Sequence, residues 1–217
     1  MAGLFKWSAR KPEAPPARVA PPVAELAASD PPATSKVLPR FLSALSHSPS
    51  PVILDLGPVV GANVAFFGER FACKIHVQDL FAEVERHAKA GTQAALVPAM
   101  LARLTQADES VDGILCWDLF DFLDRGSGRA LASRLARLVR QGGALHGFFG
   151  TTQGEVSLYS RYTMEAADAF RVRTRPATPV KRTVLLTGDI IKMFDGLTVA
   201  ESVLLKSKTR ETLFRRT

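Results

Sequence analysis

Cysteine is nearly absent from this chain. Cys73 and Cys116 are the only two in 217 residues, without metal-ligand spacing. A disulfide framework and a cysteine-bound metal are thereby excluded, and both thiols read as core residues of a reducing compartment, the cytosol by default. Long apolar runs are also missing. No stretch approaches the ~18 consecutive apolar residues of a membrane span. The N-terminal run, Met1-Ala-Gly-Leu-Phe-Lys, is too short for a secretory signal. Histidine is sparse and scattered, at positions 47, 76, 87 and 146. His76 and His146 fall within expected strands, and no Ser-His-Asp or Cys-His order emerges.

What remains is an ordinary globular composition, 47% hydrophobic and 23% charged, with a net charge of +7. That charge is unevenly placed. Residues 1–50 carry +3, residues 171–217 carry +7, and the middle carries −3. Basic ends of this kind attract anionic partners. No aromatic interleaving or nucleic-acid motif accompanies them, so they read as solvated faces and nucleic acid is not the expected partner.

Proline divides the chain. Ten of the 14 prolines lie within residues 1–51. Proline removes backbone donors, and a Pro/Ala-rich segment buries too little apolar surface to offset its ordering entropy. Residues 1–35 therefore read as a disordered tail, with Phe5 and Trp7 as either a docking spot for a protein partner or loose aromatics. Residues 36–217 read as one domain.

Within the domain, Leu38, Phe41, Leu42 and Leu45 stand at helical spacing. Val52–Leu56 reads as a strand, and "ANVAFFGERF" as the helix after it. Strands are then expected at "KIHVQDL", "AALVP", "VDGILCW" and "GALHGFF". Helices are expected at "FAEVERHAKAG", stopped by Gly91, and after Ser127 as cap, with Leu131, Leu135, Leu138 and Val139 on one face and Gly142 at its end. Thr187 is expected to cap a short helix closed by Gly196. Alternating strands and helices imply a parallel sheet covered on both faces. The last two strands flank the tight turn "SKTR" and must be antiparallel, because a parallel crossover needs a dozen or more residues.

The chemistry-bearing stretch is "VILDLGPVVG". An apolar strand ends on Asp55, and Gly57, Pro58, Val59, Val60 and Gly61 form a loop before a helix. Nucleotide-like ligands sit at such strand ends, where strand order reverses. Asp79 follows at the end of the second strand, placed to accept hydrogen bonds from ribose hydroxyls or to cap the next helix.

On these residues the chain resembles the class I S-adenosylmethionine-dependent methyltransferases. Asp55, Gly57 and Gly61 match the acid, first glycine and last glycine of the family's first motif, and Val59 replaces its middle glycine. "SVDGILCWDLFDFL" is similar to the family's fourth-strand motif, and "LVRQGGAL" to its helix, glycine turn and fifth strand. The resemblance implies a Rossmann-like three-layer sandwich. Its mostly parallel, seven-stranded sheet would end in an antiparallel hairpin. It implies S-adenosylmethionine held at Asp55, Gly57, Pro58, Gly61, Asp79, Leu80 and Trp117, and a small-molecule or protein acceptor. The family's polar residue after strand three has no counterpart here.

Asp118, Asp121 and Asp124 recur at threes. Their alternatives are a metal, which lacks converging ligands from other elements, or dipole complementarity at a helix start. Asp118 remains a candidate base. Methyl transfer needs little side-chain chemistry, because the sulfonium is already activated. Two other functions stand beside the enzyme. One is a non-catalytic interaction module on the same fold. The other is a nicotinamide-dependent oxidoreductase, disfavoured because no G-x-G-x-x-G loop is present.

Overall fold

The computed structural model describes residues 32–217. The expected tail, with Phe5 and Trp7, falls almost entirely outside them. Its last residues do not, because β1 (Ala33–Thr34) pairs with Phe170 and Ala169. Ser35 is buried. Its hydroxyl oxygen accepts from the Val37 and Leu38 amides, which starts α1 (Leu38–Leu45), and its hydroxyl donates to Glu211 Oε1 at 2.5 Å. Among the described residues, strand pairing thus already includes Ala33 and Thr34, which lie inside the segment that composition assigns to the tail.

The core sheet grows from β2 (Val52–Asp55), whose Ile53, Leu54 and Asp55 are all buried. β3 (Lys74–Val77) and β4 (Val111–Trp117) pair with it in parallel on either side. β5 (Val139–Gly150) continues the sheet in parallel beyond β4. The C-terminal β8 (Thr198–Leu204) and β9 (Thr209–Arg215) form an antiparallel hairpin, and β9 joins β5. The order is β3-β2-β4-β5-β9-β8. The reversal thus falls at the carboxyl end of β2, where ligands of open α/β sheets bind. Gly113 on β4 lets α1 approach, since a Cβ there would stand 2.6 Å from Leu45 and 2.8 Å from Phe41.

α2 (Gly61–Arg70), α3 (Leu80–Ala90) and α5 (Arg125–Leu138) follow β2, β3 and the β4 loop as expected. Three details differ. "AALVP" is not a strand; a 3₁₀ turn over Gln93–Ala95 leads into α4 (Leu96–Arg103). Leu96, Met100 and Leu104 are buried at helical spacing, and Pro98 sits in the first turn, where its missing N–H costs little. The main sheet therefore has six strands among the described residues, not seven. The cap of α5 is Asp124, whose carboxylate accepts from the Gly126 and Ser127 amides, while the Ser127 hydroxyl donates to Asp124. The helix ends at Leu138 and runs directly into β5, four residues before Gly142.

The third difference governs the site. Nothing in the sequence reading assigns residues 151–186 before the last short helix, α6 (Thr187–Met193). They contain a long antiparallel hairpin, β6 (Glu155–Ala166) and β7 (Ala169–Lys181), which with β1 makes a separate three-stranded sheet. Tyr162, Met164 and Phe170 on one face are buried, whereas Arg161, Arg171, Arg173 and Arg175 fall on the other. "YTM" and "FRVRTR" alternate as a half-buried strand should.

Candidate functional site

The hairpin lies over the carboxyl ends of β2 and β4. The Asn63 side chain on α2 fastens it, donating to Tyr162 O at 2.9 Å and accepting from Met164 N at 2.8 Å. Glu85 on α3 fastens it again, accepting from the Tyr159 hydroxyl at 2.7 Å and from the Thr178 amide and hydroxyl, both at 2.9 Å. Burial works against ionising Glu85, but Lys89, Thr178 and Tyr159 outweigh it and hold the carboxyl at about 2. The Tyr159 hydroxyl is pushed up by burial and by its bond to that carboxylate.

Beneath the hairpin, Trp117 ends β4 with a positive φ of 52°. Its indole Nε1 donates to Asp55 Oδ1 at 2.6 Å, and the same oxygen accepts from Gly57 N at 2.9 Å. Tyr162 stacks on the indole, centroids 4.9 Å apart at 7°, and Phe148 stacks on the far side of Tyr162 at 4.9 Å and 8°. A Cβ on Gly57 would lie 2.6 Å from Trp117 Cδ1. The space that this glycine leaves is therefore filled by the protein's own indole. Burial raises the Asp55 carboxyl to about 6, against the lowering effect of Trp117 and Gly57.

The expected site residues separate accordingly. Asp55, Gly57 and Trp117 come together as a sealed cluster. Asp79 caps α3 through Ala82 N at 3.2 Å and also lines an open cavity of about 460 Å³ with Pro58, Val59, Phe81 and Tyr159. Leu80 does not face it; the side chain is fully buried, and its amide donates to Leu56 O. Gly61 starts α2 with nothing within 4 Å of a would-be Cβ. Val59 does not narrow the loop. Its side chain is 61% exposed, its φ is not positive, and its carbonyl accepts from Arg161 at 2.9 Å.

The three aspartates go three ways. Asp118 is buried beside Ser160 and Tyr162, its Oδ1 without a partner; burial foremost, with the Asp121 charge, raises its carboxyl to about 7. Asp121 accepts from Gly150 N at 2.8 Å and pairs with Arg182 at 3.0 Å. Asp124 caps α5. Sequence reasoning missed Asn63, Glu85, Tyr159 and Tyr162, whose roles depend on a hairpin that had not been recognised. The alternation on β6 and β7 was the available signal.

A mostly parallel sheet with this loop at its switch point and an antiparallel final hairpin is the Rossmann-like fold of the class I S-adenosylmethionine-dependent methyltransferases. Residues 54–146 match the family model described as a methyltransferase domain. The β6–β7 hairpin lies beyond that segment. No curated protein matches the chain. Among solved structures it is similar to magnesium protoporphyrin IX methyltransferase from Synechocystis PCC 6803, at 17% identity over 83% of this chain and 76% of that one, TM-score 0.49. A second is 1,6-didemethyltoxoflavin-N1-methyltransferase from Burkholderia thailandensis, at 16% identity over 84% and 77%, TM-score 0.47. A third, the PH0226 protein from Pyrococcus horikoshii OT3, is 11% identical over 83% and 89%, TM-score 0.49.

S-adenosylmethionine, the cofactor of this class, fits the residues present at one end only. Asp79, with the cavity around it, suits the ribose. At the methionine end the glycine face and Asp55 Oδ1 are already taken by Trp117.

Proposed function

We propose that this chain is a methyltransferase-fold protein that works by binding and not by methyl transfer, an interaction module built on the family's frame. The observation that carries this reading is the Trp117 indole, bonded to Asp55, lodged against Gly57 and covered by Tyr162. The indole has no room to turn while Tyr162 stays, so admitting a methionine chain requires the hairpin to lift. Lifting it exposes Val156, Tyr162, Met164 and Phe170, all buried. At about 1.5–3 kcal/mol per side chain this opposes binding by roughly 6–12 kcal/mol. A micromolar ligand supplies only about 8 kcal/mol, so most of its affinity is lost to opening. A cytosolic setting suits the two unpaired cysteines, and no helix among the described residues is long and apolar enough to cross a membrane.

The second reading is an S-adenosylmethionine-dependent methyltransferase acting on a small-molecule or protein acceptor. The family match over residues 54–146 and the Asp79 cavity favour it. In that case Asp118, with its raised carboxyl, is the candidate base. Calorimetric titration of the whole chain with S-adenosylmethionine and its demethylated product separates the two. No heat at micromolar ligand is expected. Micromolar binding would establish the enzyme reading in its place.

A further inference from the structure

The β6–β7 hairpin is held differently along its length. At its tip β1 pairs with Ala169 and Phe170, and Ser35 N donates to Asp168 O at 2.7 Å. At its root the chain enters β6 at Glu155 and leaves β7 at Lys181. The stretch between is fastened to the body through side chains. Its register against β7 breaks between Val156 and Leu158 and again between Met164 and Ala166. Residues 158–164 are therefore one regular unit between two irregular joints, where the ladder is locally disrupted.

Four side chains fasten this unit. Asn63 bonds Tyr162 O and Met164 N, Glu85 bonds the Tyr159 hydroxyl, Arg161 bonds Val59 O, and Asp118 bonds the hydroxyls of Ser160 and Tyr162. Ser160 and Tyr162 stand two positions apart on one strand, so both point inward over the same carboxyl. An amide and a guanidinium do not titrate in the neutral range. Glu85, at about 2, is ionised throughout it, and the Tyr162 hydroxyl, pushed up by burial, keeps its proton. Asp118 behaves otherwise. Its Oδ1 is buried without a partner. Protonated, the acid can donate to a hydroxyl and brings no charge into the interior. Ionised, it only accepts, and the bare oxygen is left unsatisfied. The charged groups around it give no relief. Asp121, on the turn after β4, adds its own negative charge, and Arg182, beyond β7, is paired with Asp121 at 3.0 Å. Asp55 on β2 is bonded to Trp117, and Glu85 on α3 to Tyr159 and Thr178. Burial, with the Asp121 charge, accordingly raises the Asp118 carboxyl to about 7.

We propose that residues 158–164 are a proton-controlled lid over the sealed Trp117–Gly57 cluster, with Asp118 as its latch. The lid is closed while the latch holds its proton and is released when that proton passes to solvent. Opening draws Tyr162 off the indole and frees Trp117 to turn away from Gly57. The inference rests on the sealed cluster, which both readings of function share, and makes access to it depend on pH. In the open state the Asp118 carboxyl returns to its ordinary 3.8, so opening releases a proton at any pH between that value and about 7. The open fraction therefore rises by up to about tenfold per pH unit over this interval and levels off above it.

The test is amide hydrogen exchange of the full chain at pH 5 and pH 7, with rates corrected for the intrinsic effect of pH. No cofactor is added, so the outcome is independent of the titration with S-adenosylmethionine. The opening constant of amides within residues 158–164 is expected to rise about fiftyfold between the two, the linkage of one such proton. These amides are expected to exchange by local opening, faster than those of Ile114 and Leu115, which lie buried in β4 and report global unfolding. Asp118→Asn fixes the latch in a neutral form and is expected to remove most of the rise, leaving only what Asp55 contributes. Glu85→Gln weakens a different fastener. It is expected to speed hairpin exchange at both pH values and to keep the ratio between them. Hairpin amides that exchange no faster than those of β4 at either pH overturn the lid. A parent whose corrected opening constant does not change with pH overturns the latch, and so does a rise that persists undiminished in Asp118→Asn.

Discussion

Trp117 and Asp55 are joined by a 2.6 Å hydrogen bond across 62 positions of sequence, from indole Nε1 to carboxylate Oδ1. Both belong to the motifs on which the methyltransferase resemblance rests, and each satisfies the other. Replacing Trp117 by Ala should cost about 3–5 kcal/mol of stability, the usual range for a buried large aromatic. It should also vacate the methionine end of the cleft. Urea unfolding and a titration with S-adenosylmethionine check the two effects together. Tighter cofactor binding in Trp117→Ala than in the parent is expected; weaker binding would make the indole part of a working site.

Two glycines of one loop should respond oppositely. In Gly57→Ala the new methyl would stand 2.6 Å from Trp117 Cδ1 and 2.7 Å from Nε1, so the indole must shift and stability falls. Gly61 is helical and open, and Gly61→Ala should be neutral or stabilising by about 0.4–1 kcal/mol through the unfolded chain. In the double variant Gly57→Ala/Trp117→Ala the Gly57 penalty should largely vanish, a coupling of about 0.5–3 kcal/mol. Thermal melts of the four proteins measure it, and strict additivity would mean that the indole does not set the requirement for glycine.

Stability should fall as pH rises from about 5 to 7.5. Asp118 and Asp55 have folded-state carboxyls raised to about 7 and about 6, from an ordinary 3.8. Between the two values the folded state holds more protons than the unfolded one. Their stabilisation is therefore complete below the ordinary carboxylate value and is lost as pH rises through 6 and 7. At 1.36 kcal/mol per unit, the loss over this window is on the order of 4 kcal/mol. Asp118→Asn mimics the protonated acid. It should be more stable than the parent at pH 7.5 and show a shallower pH dependence in urea titrations, whereas a parent that gains stability towards pH 7.5 would contradict the burial argument.

Ser35 links the start of the domain to its last strand. Glu211 is fully buried, and its Oε1 accepts from both the Ser35 hydroxyl and His146 Nε2, at 2.5 and 2.8 Å. Ser35→Ala removes one donor and also the acceptor for the first amides of α1. A loss of about 1–3 kcal/mol in chemical denaturation is expected, the cost of buried groups left unpaired. Ser35→Thr, which keeps the hydroxyl, should recover most of it; failure of both variants alike would assign the loss to packing.

Local order alone made much of this protein legible. Apolar β2 ending on Asp55, the loop to Gly61, Asp79 at the next strand end and the close-set final hairpin all follow from periodicity and turn chemistry within a few residues. Those signals sufficed for the parallel sheet, its antiparallel finish and the family resemblance. They failed at Leu96–Arg103, where a short apolar run fits strand or helix and only burial of Leu96, Met100 and Leu104 on one side decides. They also could not show what covers the glycine loop. The Asn63–Tyr162 bond spans 99 positions, and no local pattern states where a hairpin will fold back. Periodicity fixes which face of a strand is buried, but not against what. Only the tertiary structure brought Tyr162 onto Trp117 and filled the space beside Gly57.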